Sequence, residues 1–132
     1  MKIFKILSLA LLLFLPGSVR AQDGVEAFAP IVKYLEKGDA EKLSAWFDNS
    51  LEISVCGVTS DSSRKQATQI MKNFFTNVKP TSFTLQHAAS KSNMKYALGV
   101  LMAGTTSYAV TIFVNFQDNG YKIQQLKIEK LR

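Results

Sequence analysis

Two hydrophobic rhythms divide the chain. Toward the amino-terminal side, apolar residues recur mainly every three or four positions; from Thr81 onward they recur every second one. Val25, Phe28, Ile31, Val32 and Leu35 fall on one face of a helix, with Pro30 either in its first turn or at a kink. Gly38 stops that helix, and Asp39 is a natural amino cap for a second short one carrying Leu43, Trp46 and Phe47. Asp48-Asn49-Ser50 reads as a turn. Leu51, Ile53 and Val55 then alternate with Glu52 and Ser54, the pattern of a half-buried strand. Ser63 followed by Gln66 has capping-box spacing, and Ala67, Ile70, Met71, Phe74, Phe75 and Val78 keep a helical period until Lys79-Pro80. Such a helix is expected to lie on a sheet of its own protein.

The second rhythm predicts four strands joined by short turns. Phe83, Leu85 and His87 share a face of the first, and Tyr96, Leu98, Val100 and Met102 line the next after a turn at Ser90–Asn93. Gly104-Thr105-Thr106 turns the chain into a third strand with Tyr108, Val110, Ile112, Val114 and Phe116. Asp118-Asn119-Gly120 is a hairpin signal leading into a last strand, Tyr121 to Leu131. Short turns between successive strands make this an antiparallel meander. The alternate positions Ala97, Gly99, Leu101, Ala103, Ala109 and Phe113 are also apolar or small, so both sheet faces are partly hydrophobic. One face goes under the long helix. The other is left for a pocket, the short helices or a second subunit, which makes Leu101 and Phe113 candidate interface residues. In the last strand the apolar positions change parity between Ile123 and Leu126, which predicts a bulge at Gln124.

The amino terminus changes how the composition is read. A cationic start with Lys2 and Lys5, an apolar run of ten residues from Ile6 to Leu15, Pro16-Gly17, and small residues at Val19 and Ala21 form the three parts of a secretory signal. The run is half of the ~20 residues a membrane-crossing helix needs. Cleavage is expected between Ala21 and Gln22, giving a signal peptide over residues 1–21 and one domain over residues 22–132, periplasmic or secreted, with no stable membrane span. Losing Lys2, Lys5 and Arg20 lowers the formal charge from +6 to +3, and 132 less 21 leaves 111 residues, enough for one core. The remaining basic residues are dispersed, which argues against a nucleic-acid partner. Cys56, the single cysteine, can form no intrachain disulfide and reads as a small buried residue at a strand end.

The segments KGDAEKLSAWFDNSLEISV, KNFFTNVKPTSFTLQHAAS, KYALGVL and YKIQQLKIE resemble a family of small exported bacterial proteins, domain of unknown function 4783. Gly38-Asp39, Phe74-Phe75, Pro80, Phe83 with His87, and Tyr96 with Gly99 carry the likeness; Ala89 stands where the family is expected to have glycine. The order of elements resembles the cone-shaped fold of nuclear transport factor 2 and its relatives, a cystatin-like fold. What the resemblance implies is an α+β domain: two short helices, one strand, a long helix, then a four-stranded antiparallel meander on a curved sheet. It implies no reaction.

Candidate chemistry is sparse. No Asp or Glu occurs from Thr81 to Gln117, which argues against a carboxylate base on the sheet. His87 is the sole histidine and the one catalytic candidate; with Phe83, Leu85, Tyr96 and Tyr108 it makes a candidate ligand pocket. One histidine and one cysteine, far apart, suggest no metal site, and no phosphate loop or other cofactor motif is present, so no cofactor is expected. The favoured reading is an exported, non-catalytic domain that binds a small apolar ligand, a peptide or a protein partner, including a second copy as a homodimer, through its cone or open sheet face. The alternatives are an enzyme centred on His87 and an envelope assembly or adaptor protein.

Overall fold

The computed structural model describes residues 15–118 and 120–131, with side chains from Glu26 onward. Helix α1 (Leu15–Lys37) contains Pro30, whose ring nitrogen cannot donate to the Glu26 carbonyl. Most of the expected signal peptide and the side chains around its cleavage point lie outside the described residues. The helix ends in a Schellman motif: Asp39 N–H donates to the Tyr34 carbonyl and Gly38 N–H to that of Leu35. Gly38 takes φ +66°, and a β-carbon there would stand 3.2 Å from Cδ of Pro80 and 3.5 Å from the Phe75 ring. Three parts of the quoted likeness, Gly38, Phe75 and Pro80, therefore meet at one junction. Asp39 caps the short α2 (Ala40–Ser44) by accepting from Lys42 N–H, as its position predicts.

The next elements depart from the sequence reading. Strand β1 (Phe47–Val55) starts four residues earlier than expected and takes Phe47 from the short helix into the core. The chain then makes a hairpin rather than passing directly to the long helix. Cys56 and Gly57, at φ 50° and 90°, form a two-residue turn into β2 (Val58–Ser63), with Val55 paired to Val58. This extra strand has one apolar residue, Val58, and that is 74% exposed, so hydrophobic alternation could not announce it. Cys56 is exposed at the turn, correcting its expected burial. Helix α3 (Arg64–Asn77) follows with the reciprocal Ser63–Gln66 capping box, and buries Ala67, Met71, Phe74 and Phe75.

Strands β3 (Ser82–Lys91), β4 (Met94–Ala103), β5 (Thr106–Gln117) and β6 (Gly120–Lys130) form the expected meander. The six-stranded sheet has the order β2-β1-β6-β5-β4-β3; every pair is antiparallel except β1 with β6. It is curved and does not close. At the last hairpin the positive φ falls on Asp118, not on Gly120, which is already in β6; Asn119 lies outside the described residues. Two bulges bend the sheet. Gln125 pairs with Phe113 and Ile123 with Val114, so Gln124 is the extra residue that the parity change predicts. Gln86 is extra in β3, between the Leu85–Gly99 and His87–Leu98 pairs, and nothing in the hydrophobic pattern predicts it.

These pairings fix the faces. Phe83, Leu85, Ala97, Leu101, Tyr108, Val110, Ile112, Val114, Ile123, Leu126 and Ile128 point toward the helices and, with Phe28, Ile31, Leu35, Leu43, Phe47 and Met71, build one core. The core face of β4 is therefore Ala97–Gly99–Leu101, not the Tyr96–Leu98–Val100 series. Gly99 decides this: Cζ of Phe83 lies 2.3 Å from where its β-carbon would be, so the ring lies against bare backbone.

Candidate functional site

The five expected pocket residues fall on two sides of the sheet. Phe83, Leu85 and Tyr108 belong to the helix-facing side, where Phe83 and Tyr108 are each 7% exposed and Tyr108 packs edge-on against Phe74 at 5.4 Å. That side is filled by side chains, and among the described residues no buried side-chain nitrogen or oxygen lacks a hydrogen-bond partner. His87 and Tyr96 lie on the outer side. The Gln86 bulge reverses the direction of every side chain after it, so His87 is exposed instead of sharing a face with Phe83 and Leu85. The interface candidates separate in the same way: Leu101 is 0% exposed in the core, while Phe113 is half-buried on the outer face.

On that outer face the aromatic residues form a ladder across three strands. The His87 and Tyr96 rings are 5.8 Å apart, and Tyr96 and Phe113 are 5.6 Å apart with planes inclined by 32°. Leu98, 39% exposed, and the half-buried Val100, Met102 and Ala109 extend the apolar surface along β4 and β5. Beyond it, β6 and β1 turn polar with Gln125, Lys127, Glu129 and Glu52. Helical periodicity in the first half and strand alternation in the second identify apolar positions, but not which of two apolar faces a bulge will turn outward.

A second cluster went unseen in the sequence. Between Phe47 and Glu52, β1 swells against β6, and this irregularity coincides with the Gln124 bulge. Asp48 sits there. Its Oδ2 accepts from Nε2 of Gln124 at 2.6 Å and Nε2 of Gln117 at 3.2 Å, and its Oδ1 accepts from Asn49 N–H at 2.7 Å. Arg64 donates to the Phe47 carbonyl and to Oδ1 of Asn49, both at 3.2 Å. Partial burial pushes the Asp48 carboxyl upward, but the Asn49, Gln117 and Gln124 hydrogen bonds and the Arg64 charge outweigh it, leaving the group below its ordinary value. A carboxylate so held is a fixed acceptor rather than a proton-transfer group. The signal for it was present in the turn-like Asp48-Asn49-Ser50, but its glutamine partners are about seventy residues away.

Open depressions mark the surface. One lies where α1, α2 and α3 meet, around Gly38, Glu41 and Lys72, the last two forming an ion pair. Another, about 530 Å³, is lined by Ala45, Trp46, Gln117, Asp118, Gly120, Tyr121 and Lys122. Among the described residues, no three His, Cys, Asp or Glu side chains come together as metal ligands would, and no helix is long and apolar enough to cross a membrane.

Comparison with known proteins agrees with this architecture. The family model Domain of unknown function (DUF4783) matches residues 28–129. A DUF4783 family protein from Bacteroides ovatus superimposes with a TM-score of 0.75 at 23% identity, over 79% of this chain and 94% of the other. A domain with a cystatin-like fold from Nostoc punctiforme gives 0.65 at 18% identity, over 86% and 78%. A candidate dehydratase from the NTF2-like family of Streptomyces avermitilis gives 0.64 at 11% identity, over 88% and 99%. No curated protein matches the chain. At these identities the structural likeness speaks for the fold alone, which is NTF2-like and cystatin-like.

Proposed function

We propose, from the premise that the chain belongs to the DUF4783 family, that it is an exported, non-catalytic binding domain whose outer sheet face takes a second copy of itself. The observation that carries this is the His87–Tyr96–Phe113 ladder, continued by the exposed Leu98, on a face that stays open among the described residues. The filled helix-facing side favours this surface over the cone as the place of binding. Three strands of about ten residues at ~3.3 Å rise and ~4.8 Å spacing offer roughly 500 Å² in projection. Side-chain relief brings that toward the ~800 Å² per partner of a stable interface. The polar row on β6 and β1 would form its rim, as interfaces place charge at the edge and aromatics at the centre.

Export rests on the amino-terminal pattern, and the fold is compatible with it. Every described core residue lies after Ala21, beginning with Phe28, so a cut there removes none of them. A mature protein beginning at Gln22 in the periplasm or medium, read by amino-terminal sequencing, supports the assignment; a chain retaining Met1 opposes it.

Light scattering over a range of concentrations tests the dimer. The expected result is a mass twice that of the chain, reverting to the single-chain value in Tyr96→Asp. A wild-type protein that stays monomeric at high concentration overturns the self-association and returns the face to a peptide or small apolar ligand.

A further inference from the structure

The groove at the last hairpin is separate from the ladder and has a different chemical character. Trp46 and Tyr121 line it with Gln117, Asp118 and Lys122. Tyr121 is held in place: Phe116 packs edge-on at 5.0 Å, and Nζ of Lys95 lies 5.5 Å from its ring centre. Gln117, which also lines the groove, is pinned because its Nε2 donates to Asp48. The backbone at Trp46 is anchored through its carbonyl, which accepts from Ile123 N–H at 2.6 Å. The two sides of the groove, the α2–β1 connection and the β5–β6 turn, are thus tied together by the double bulge. Tyr121 and Gln117 are held before any ligand arrives, which reduces the ordering cost of binding.

We propose that this groove is a carbohydrate-binding site for an internal or terminal unit of a neutral glycan. A pyranose presents an apolar C–H face and an equatorial rim of hydroxyls. Trp46 and Tyr121 supply flat surfaces for the first, while an amide oxygen, a carboxylate and an ammonium group supply acceptors and a donor for the second. The opposite charges of Asp118 and Lys122 offset each other, which disfavours a phosphate or nucleotide. A purely apolar ligand would cover Gln117, Asp118 and Lys122 while giving them no new hydrogen-bond partner. A peptide added as an extra strand is excluded because β5 and β6 are both interior to the sheet, with their backbone edges already paired. The open groove of about 530 Å³ is within the range of small-molecule sites and is not closed over, so a chain can pass across it.

The chain has a single tryptophan, and it lines this groove, so emission from Trp46 reports occupancy directly. The probes are hexasaccharides of glucose, xylose, mannose and N-acetylglucosamine, together with a tryptic digest of casein as the peptide control. The proposal expects a saturable emission change at millimolar concentrations of at least one sugar. Asp118→Gly should weaken it about tenfold, the loss expected from one charged hydrogen-bond acceptor. That variant keeps its turn, because Asp118 stands at φ 51°, where glycine is at ease. Tyr121→Leu, which retains apolar bulk toward the core, should weaken binding further, with unchanged circular dichroism confirming the fold. No response to any sugar, a response to the casein peptides alone, or sugar binding untouched by both variants would each overturn the proposal.

Discussion

At Gly99 a single hydrogen atom decides how β3 lies on β4. A methyl group would meet the Phe83 ring at 2.3 Å and the Thr84 carbonyl oxygen at 2.8 Å, and the second of these is backbone that cannot swing aside. Gly99→Ala is therefore expected to cost about 1–3 kcal/mol, the usual range for overpacking a tight site, read as a lower midpoint in urea at an unchanged slope. Asp48 makes a different demand, one that depends on pH. Its folded carboxyl titrates below the ordinary 3.8, so the stability it contributes is complete above that value and is lost as pH falls through the lower folded one. Asp48→Asn should flatten the loss of melting temperature on acidification below pH 3.8. At neutral pH it should cost less than about 1 kcal/mol, because the half-exposed group is screened by water. A melting profile against pH, run on both proteins, checks the sign.

Among the elements, those with local signatures were legible in the sequence. The α3 helix is announced by Ser63 and Gln66, and both halves of the capping box form, Ser63 N–H donating to Oε1 of Gln66 and Gln66 N–H to Oγ of Ser63. Ser63→Ala should cost about 1 kcal/mol, as the loss of such a cap generally does, measurable by thermal unfolding. The Gln124 bulge was legible because it shifts buried residues from odd to even positions. The Gln86 bulge was not, since the residues after it, His87, Ala88 and Ala89, suit either face. That one extra residue separates His87 from Phe83 and Leu85, and with it the site expected from alternation alone. Strand β2 was hidden for a related reason: it holds its place by pairing with β1 through a turn at Cys56-Gly57, not by burying an apolar face. Asp48 required the tertiary contacts of Gln117 and Gln124, which no local pattern contains.

For the whole molecule, the two apolar faces of the sheet do separate work, and the residues first paired as interface candidates distinguish them. Leu101 is wholly enclosed among the helix-facing side chains, whereas Phe113 stands in the outer ladder against Tyr96. Leu101→Asp places an unpaired charge in the core and should unfold the protein or lower its stability by more than about 3 kcal/mol, seen as loss of cooperative melting. Phe113→Asp removes an aromatic from the outer face, where water still reaches the new carboxylate, so the monomer should keep its circular dichroism spectrum. If the outer face joins two copies, the same change sets two like charges against an apolar contact and halves the mass in sedimentation. A Phe113→Asp protein that remains dimeric and folded would mean that the copies meet elsewhere. The contrast separates stability from association because the sheet itself separates the two residues: Ile112 beside Phe113, and Val100 and Leu98 one and three positions before Leu101, all point the opposite way from the residue they are compared with.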